Sequence, residues 1–228
     1  RDCREAGINT SQLQHTSEAP TSYTDAMTVA STGRRTFFHQ RGANALFNET
    51  HLNFDTTRAK IFHLGYLMLL DAMDSFVISG RTRASLALEK AKQAGLSTSV
   101  DIVSTENTQF REIAESALPF TDYLIINEIE AGKVAGIDLK TDKGVDVDAC
   151  IEAARALLSR GVNKQVVIHF VDGGVVADAR GSVTKHGSLK LPEGFIAGAT
   201  GAGDAFAAGY LLGLHEDWET LDCLKLAV

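Results

Sequence analysis

A run of glycine and alanine ahead of an apolar segment is the feature that most restricts how this 228-residue chain can fold. Residues 198–214 read Gly-Ala-Thr-Gly-Ala-Gly-Asp, then Ala-Phe and a run of small and apolar side chains. Residues 205–214 favour a helix, so the glycines lie where that helix begins. Glycine adopts backbone angles that other residues avoid and lets a ligand approach the main chain. The unpaired N–H groups of a helix start suit a phosphate or a developing oxyanion.

Asp204 follows these glycines and falls in the first turn of the predicted helix. An acid at this position commonly does no more than complement the helix dipole. Beside an anion site, however, a carboxylate is well placed to take the proton of a hydroxyl that attacks phosphorus. The backbone N–H groups of Gly201, Ala202 and Gly203 would then stabilise charge on the transferred phosphoryl oxygens. We therefore predict these four residues as the catalytic group.

The stretch from Thr200 to Phe206 resembles, without a gap, the signature Asp-Thr-x-Gly-Ala-Gly-Asp of the ribokinase-like (PfkB-type) carbohydrate kinases. The resemblance implies transfer of the γ-phosphoryl group of ATP to a hydroxyl of a sugar or sugar-like small molecule. It also implies Mg²⁺ bound with ATP, a monovalent cation as a further candidate cofactor, and a nucleotide contact by Thr200. Gly198 and Ala199 depart from the family's Asp-Thr, which weakens the expectation of a side-chain contact ahead of the loop.

Members of that family are usually longer than this chain. The resemblance therefore implies missing sequence at both ends, including polar residues that contact the sugar before Arg1 and nucleotide contacts after Val228.

The composition indicates an ordinary soluble globular protein, with 44% apolar and 22% charged residues. A net charge of −7 argues against a nucleic-acid partner, because no basic stripe is present to neutralise phosphates. No apolar run reaches the length of a membrane span, and no secretory signal opens the chain. Cys3, Cys150 and Cys223 are too few and too widely spaced for a disulfide framework. We expect a cytoplasmic protein.

Residues 21–47 read as a β-hairpin, with β-rich runs at 23–30 and 35–39 joined by turn residues at 31–34. In the family that the chain resembles, such a sheet forms a lid over the sugar and often a dimer contact, so a homodimer through the lid is expected. The run that contains Gly42 and Asn44 resembles the Gly-Ala-Asn segment of ribokinases. That likeness implies substrate binding by both residues, with a plain turn as the alternative.

The remaining chain alternates strands and helices. We predict strands at 61–67, 97–103, 123–126, 165–170 and 175–178, and helices at 82–94 and 145–158. This alternation predicts an α/β fold, a mainly parallel sheet with helices on both faces. Residues 1–20 and 48–228 would form the core domain that binds nucleotide and substrate.

Asn127 and Glu130 follow the third predicted strand, where ligands of parallel sheets gather. By residue type alone they form a helix cap and a capping box. The spacing also resembles the Asn-x-x-Glu motif of the family, which implies that both hold hydrated Mg²⁺ and that Asn127 binds nucleotide. Asp101 matches an acid that family members carry near the phosphates, although a loop cap is an equally good interpretation.

Gly174 matches the last glycine of a family turn, Thr-x-Gly-x-x-Gly, that touches the nucleotide. The resemblance therefore implies a nucleotide contact at Gly174. His169 and Val171 stand where threonine and the first glycine are common, so contacts with the triphosphate from this turn are less specific.

Two other functions are weighed against a kinase. The spacing of Gly198, Gly201 and Gly203 does not match the Gly-x-Gly-x-x-Gly of a dinucleotide oxidoreductase. A non-catalytic regulatory or scaffold protein of the same fold stays open, although the intact Asp204 argues against it. No Walker motif is present, so a P-loop enzyme is excluded.

Overall fold

The computed structural model describes residues 2–29, 35–142, 144–192, 195 and 198–228. Its strands are β1 (Tyr23–Thr28), β2 (Arg35–Gln40), β3 (Ile61–Leu67), β4 (Ser97–Ile102), β5 (Tyr123–Asn127), β6 (Lys140–Thr141), β7 (Gly144–Val145), β8 (Gln165–Phe170), β9 (Gly173–Asp178) and β10 (Val183–Gly187). Its helices are α1 (Asp2–Glu5), α2 (Asp71–Asp74), α3 (Arg83–Gln93), α4 (Phe110–Ala117), α5 (Glu128–Ala135), α6 (Val147–Ser159), α7 (Ala202–His215) and α8 (Thr220–Ala227). Short 3₁₀ helices span Gly42–Leu46, Glu49–His51 and Leu118–Phe120.

The main sheet has six strands in the order β10-β9-β8-β5-β4-β3. The four strands β3, β4, β5 and β8 run parallel, and β9 and β10 add an antiparallel edge. The predicted mainly parallel sheet is therefore confirmed. The strand β10 was not predicted, because its sequence Val-Thr-Lys-His-Gly has no apolar run and pairs only at the edge of the sheet.

Helices pack on both faces of this sheet. The strand β5 is buried on both faces, as its run of apolar residues predicts for a parallel sheet. On one face Ile125, Val167 and Val176 pack against Phe206 and Tyr210 of α7. The opposite face carries the larger core, formed with α3, α4, α5 and α6.

Two helix boundaries differ from the predicted ones. The helix α6 begins at Val147 instead of residue 145, because β6 and β7 pair as a small hairpin immediately before it. The side chain of Asp146 then caps α6 by accepting hydrogen bonds from the backbone N–H groups of Asp148 and Ala149. The helix α7 begins at Ala202, three residues earlier than predicted, and Asp204 lies in its first turn.

The strands β1 and β2 form a separate two-stranded antiparallel sheet, which pairs Tyr23 with Gln40 and Thr28 with Arg35. The first strand ends at Thr28, earlier than predicted, and the predicted turn at 31–34 lies outside the described residues. Large apolar side chains of this hairpin are exposed to solvent, including Phe37 and Phe38.

Within the described ranges, no helix is both long enough and apolar enough to span a membrane.

Candidate active site

The glycine loop leads into α7 and leaves part of this helix start without hydrogen-bond partners among the described residues. Gly201 is the cap residue with φ of 79°, a left-handed conformation that favours glycine, and no side chain caps the helix. The N–H of Ala202 donates to the carbonyl of Ala199 at 3.2 Å. No described residue accepts a hydrogen bond from the N–H of Gly203 or Asp204. This helix start is therefore open to an anion.

The carboxylate of Asp204 is exposed in the first turn of α7. Its Oδ1 accepts a hydrogen bond from the phenol of Tyr66, which lies near the end of β3. Its Oδ2 lies on the side of the glycine loop, since a Cβ added at Gly201 would be 3.9 Å from that oxygen. The structure thus joins the loop, the acid and the carboxyl-terminal half of β3 in one place.

The hairpin reaches the same loop. The guanidinium of Arg35, at the start of β2, donates from Nη1 to the hydroxyl of Thr200 at 2.7 Å. Thr200 directly precedes Gly201, so this bond links the two-stranded sheet to the residue beside the anion site. No carboxylate in the described part of the chain pairs with Arg35.

A second helix start lies at the end of β5. The side chain of Asn127 accepts hydrogen bonds from the N–H groups of Ile129 and Glu130, both at 2.9 Å. In return, Oε2 of Glu130 accepts from the N–H of Asn127 at 2.9 Å, and its Oε1 accepts from the hydroxyl of Ser104 at 2.7 Å. The residues therefore form the capping box that their types predict.

Glu130 of this capping box and Asp101 of the neighbouring strand are both buried acids. Glu130 is only 3% exposed, and burial raises the pKa of its carboxyl, although its hydrogen bonds oppose the shift. Asp101, the residue before the last of β4, is 6% exposed, and burial, together with the charge of Glu130, raises its pKa to about 8. Without a cation this pair favours protonation of Asp101 at neutral pH.

His169 lies beneath the glycine loop, on β8. It is paired in register with Asn127 of β5 and with Gly174 of β9. Its ring stacks on Phe206 with centroids 4.8 Å apart, and a Cβ added at Gly203 would lie 3.4 Å from its Cε1. Burial lowers the pKa of this imidazole to about 4, against a small opposing effect of Glu128, so the ring is neutral at pH 7.

A family model described as pfkB family carbohydrate kinase matches residues 1–228. The chain belongs to this family. Adenosine kinase of Saccharomyces cerevisiae is 30% identical to it over 185 residues, which are 78% of this chain and 52% of that protein. The chain therefore spans about half of the length of that relative.

Solved structures share the pfkB fold at low sequence identity. Ribokinase from Giardia lamblia superposes with a TM-score of 0.73 at 19% identity, covering 100% of this chain and 66% of that chain. Anopheles gambiae adenosine kinase, in complex with P1,P4-di(adenosine-5) tetraphosphate, superposes with a TM-score of 0.74 at 21% identity, covering 94% of this chain and 62% of that chain. Burkholderia thailandensis nucleoside kinase, in complex with inosine, superposes with a TM-score of 0.69 at 14% identity, covering 99% of this chain and 66% of that chain.

Within this pfkB chain the structure brings most predicted site residues to one edge of the sheet. The start of α7 is formed by Thr200, Gly201, Gly203 and Asp204. Asn127 of β5 is paired in register with His169 of β8, which lies next to this helix start. For Gly174 the structure gives a packing reason. A Cβ there would lie 3.1 Å from Leu224 and 3.2 Å from Phe206, so side chains of α7 and α8 cover this residue. Its nucleotide contact stays a prediction.

Gly42 and Asn44 lie in the 3₁₀ helix Gly42–Leu46. Gly42 has φ of +50°, and a Cβ there would come within 2.3 Å of the carbonyl oxygen of Pro20, so the backbone requires glycine whatever the ligand. The preceding Arg41 donates to the carbonyl of Met68 at 3.2 Å, just beyond β3. The segment is thereby held beside the edge where the site lies, and substrate binding by Gly42 and Asn44 stays a prediction.

The residues at the end of β5 suit a hydrated cation better than a directly bound one. Both carboxylate oxygens of Glu130 already accept hydrogen bonds, and the described residues contain no group of three or more metal-ligating side chains. Mg²⁺ usually keeps several of its waters and needs few carboxylates. The buried acids Asp101 and Glu130 would gain from a nearby positive charge, so the two fit Mg²⁺ held through water.

Three residues of the site were missed as participants from the sequence. Tyr66, Ser104 and Arg35 carry no local motif that marks them as site residues. Each makes its contact across at least 26 residues of chain, and no spacing rule signals such a contact.

Proposed function

We propose that this protein is an ATP-dependent kinase that transfers the γ-phosphoryl group to a hydroxyl of a sugar or of a sugar-bearing small molecule such as a nucleoside. The observation that carries the proposal is the open start of α7, with the exposed Asp204 in its first turn. An open helix start binds phosphate, and a neighbouring carboxylate activates the nucleophile. Membership of the pfkB family supports the same assignment.

Asp204 would act as the general base. Its Oδ2 lies on the side of Gly201 and would take the proton of the acceptor hydroxyl as the oxygen of that hydroxyl bonds to the γ-phosphorus. The bond between the γ-phosphorus and the bridging oxygen breaks in the same transfer, and ADP leaves with that oxygen. The acid then releases its proton to solvent after the product departs.

Backbone N–H groups would stabilise the charge on the transferred phosphoryl oxygens. Those of Gly203 and Asp204 have no partner among the described residues, so they are ready to donate. The N–H of Ala202 donates to Ala199, and it would contribute only if that 3.2 Å bond opened on binding. Thr200 and Gly201 would lie against the same phosphate.

Asn127 and Glu130 would hold Mg²⁺ through water near the nucleotide phosphates, with Asp101 beside them. When bound, the cation supplies positive charge that offsets the charge of the triphosphate. The capping box fixes both side chains, because each accepts a backbone N–H of the other's residue. A monovalent cation remains a further candidate cofactor with no residues assigned to it.

The class of acceptor rests on the relatives. These relatives include adenosine kinases, a ribokinase in complex with ribose and ATP, and a nucleoside kinase in complex with inosine. These molecules share a ribose with free hydroxyls, so we propose a ribose-bearing acceptor, either the free sugar or a nucleoside. Gly42 and Asn44 would lie on the acceptor side of the site.

The hairpin of β1 and β2, within residues 21–47, would act as a lid over the acceptor and as a dimer contact. Support comes from the bond between Arg35 and Thr200, which brings the hairpin to the glycine loop. The exposed Met27, Phe37 and Phe38 would gain from burial against a second copy. A closed lid excludes water and so limits ATP hydrolysis.

The test is a transfer assay with the full-length protein, Mg²⁺ and ATP against a panel of pentoses, hexoses and nucleosides. We expect a phosphorylated product, detected by mass spectrometry, from at least one ribose-bearing acceptor. The matched control is the deoxy analogue of that acceptor, which lacks the reacting hydroxyl and should give no product. If no acceptor in the panel is phosphorylated by the folded protein, the kinase proposal fails and the regulatory interpretation replaces it.

A further inference from the structure

The strand β3 changes register close to its carboxyl end. Leu64 pairs with Val100 of β4, but Leu67 pairs with Ile102, so three steps along β3 match two steps along β4. Leu64 and Leu67 are both buried, at 4% and 1% exposure. The extra residue therefore breaks the alternation of the strand and lets Tyr66 leave the core. Such irregularities commonly re-aim a side chain next to an active site.

The side chain released by this shift reaches Asp204, 138 residues away in sequence. The phenol oxygen of Tyr66 donates to Oδ1 of the carboxylate. No other described residue donates a hydrogen bond to the side chain of Asp204. Apart from this phenol, the acid stands exposed at the open helix start.

The contact gives the two carboxylate oxygens of Asp204 different roles. With Oδ1 engaged by the phenol, Oδ2 is the oxygen that faces the side of Gly201 and is left to accept a proton. A carboxylate on an exposed first turn otherwise samples several rotamers, and few of them aim an oxygen at the anion site. A hydrogen bond to a charged group is strong enough to favour one of these rotamers.

We propose that Tyr66 is a positioning residue that orients Asp204, so that Oδ2 meets the acceptor hydroxyl beside the glycine loop. The inference rests on the proposed function and adds a residue to it. Tyr66 acts through the carboxylate and takes no proton itself. Its hydroxyl stays bonded to Oδ1 throughout the transfer.

Tyr66→Phe removes only the hydroxyl. Because hydrogen bonds to charged groups are the stronger ones, we expect kcat to fall about 10-fold, with the KM for the acceptor changed less than about twofold. In the Asp204→Asn background the same substitution should cause no further loss, because the group that it positions is absent. Calorimetric affinity for a nonhydrolysable ATP analogue should stay unchanged.

Tyr210→Phe is the matched control. Its hydroxyl bonds to Gln165 at 2.9 Å within the core beneath α7, so its loss should lower the melting temperature and leave kcat unchanged. A thermal double-mutant cycle of Tyr66→Phe and Asp204→Ala, in which alanine removes the oxygen that accepts from the phenol, should show coupling between the two sites even where turnover is not measured.

The inference is overturned if Tyr66→Phe keeps wild-type kcat, or if it lowers turnover equally in the wild-type and Asp204→Asn backgrounds. Absence of thermal coupling between the two sites also overturns it. An active wild type with an unaffected Tyr66→Phe variant removes Tyr66 alone and leaves the kinase proposal intact. A wild type that transfers no phosphoryl group to any acceptor overturns both.

Discussion

The helices α5 and α7 begin at the same edge of the sheet, but their first N–H groups differ in their hydrogen-bond partners. At α5 the side chain of Asn127 accepts two of these groups, and Glu130 returns a bond to the backbone of Asn127. At α7 a left-handed glycine takes the cap position, and no side chain of the described chain accepts from Gly203 or Asp204. The first start is closed by its own residues, whereas the second is left for a ligand.

The acids of the two first turns differ in the same way. Glu130 is buried and both of its oxygens already accept hydrogen bonds, so neither oxygen is left for the hydroxyl of a ligand. Asp204 is exposed, and one of its oxygens is left free of hydrogen bonds within the described part of the chain. Position in the first turn is therefore not enough to make a base, since the partners of the carboxylate decide its role.

Asp204→Asn should have the largest effect. The amide keeps the size of the side chain but cannot take the proton, so turnover should fall on the order of 10²–10⁴-fold. The melting temperature and the affinity for an ATP analogue should change little, since the backbone donors remain. Asp222→Asn is the matched control, because Asp222 is an exposed acid in the first turn of α8. Wild-type turnover in Asp204→Asn would remove the acid from the mechanism.

A change in pH tests the histidine beneath the open start. The pKa of His169 is lowered to about 4 in the folded protein, below its value of 6.5 in the unfolded chain, so the unfolded state binds more protons between these values. Stability should therefore fall as pH drops, by about 2 kcal/mol from this residue between pH 7 and pH 5. His169→Asn should remove this part of the dependence in urea unfolding at both pH values.

An equal pH dependence in the wild type and His169→Asn would show that the imidazole titrates as freely as in the unfolded chain.

Glu130→Gln tests the closed start. Both carboxylate oxygens of Glu130 accept hydrogen bonds, and in glutamine an NH₂ group, which is a donor, replaces one of them. The free energy of unfolding should therefore fall by about 0.5–2 kcal/mol. If Glu130 also helps to hold hydrated Mg²⁺, the Mg²⁺ concentration for half-maximal rate should rise as well. Glu128→Gln, two residues earlier in the first turn of α5, is the control. An unchanged Mg²⁺ dependence would leave Glu130 with its capping role alone.

Arg35→Ala should have the smallest effect on stability. Its bond to Thr200 is on the surface, and surface substitutions usually change stability by less than about 0.5 kcal/mol. If the hairpin closes over the site, ATP hydrolysis without acceptor should rise relative to transfer. Arg58→Ala, at an exposed position outside the hairpin, should leave this ratio unchanged. An unaltered ratio in Arg35→Ala would speak against a lid held by this bond.

The parts of the fold that depend on local pattern were predicted from the sequence. The strand at 61–67, the strand at 165–170 and the capped start of α5 follow from apolar runs and from cap chemistry. The strand β10 was missed, because a polar edge strand shows no such run. The early start of α7 was missed, because its first residues are glycine and alanine, which give no periodic signal.

Prediction of the site followed the same division. The loop, Asp204 and the pair Asn127 and Glu130 could be predicted as site residues because each lies in one short motif. The phenol of Tyr66 was not, because its approach to Asp204 depends on a one-residue register shift between β3 and β4. That shift depends on the packing of two buried leucines and cannot be inferred from either strand alone.

The most direct test of the central claim compares the two helix starts in one experiment. Inorganic phosphate, without Mg²⁺ or nucleotide, is titrated into ¹⁵N-labelled protein while backbone amide resonances are recorded by NMR. The open start predicts that the amides of Gly203 and Asp204 shift with phosphate, while those of Ile129 and Glu130, already bonded to Asn127, stay in place. Shifts confined to Ile129 and Glu130, or no shift at Gly203 and Asp204 up to saturating phosphate, would contradict the account.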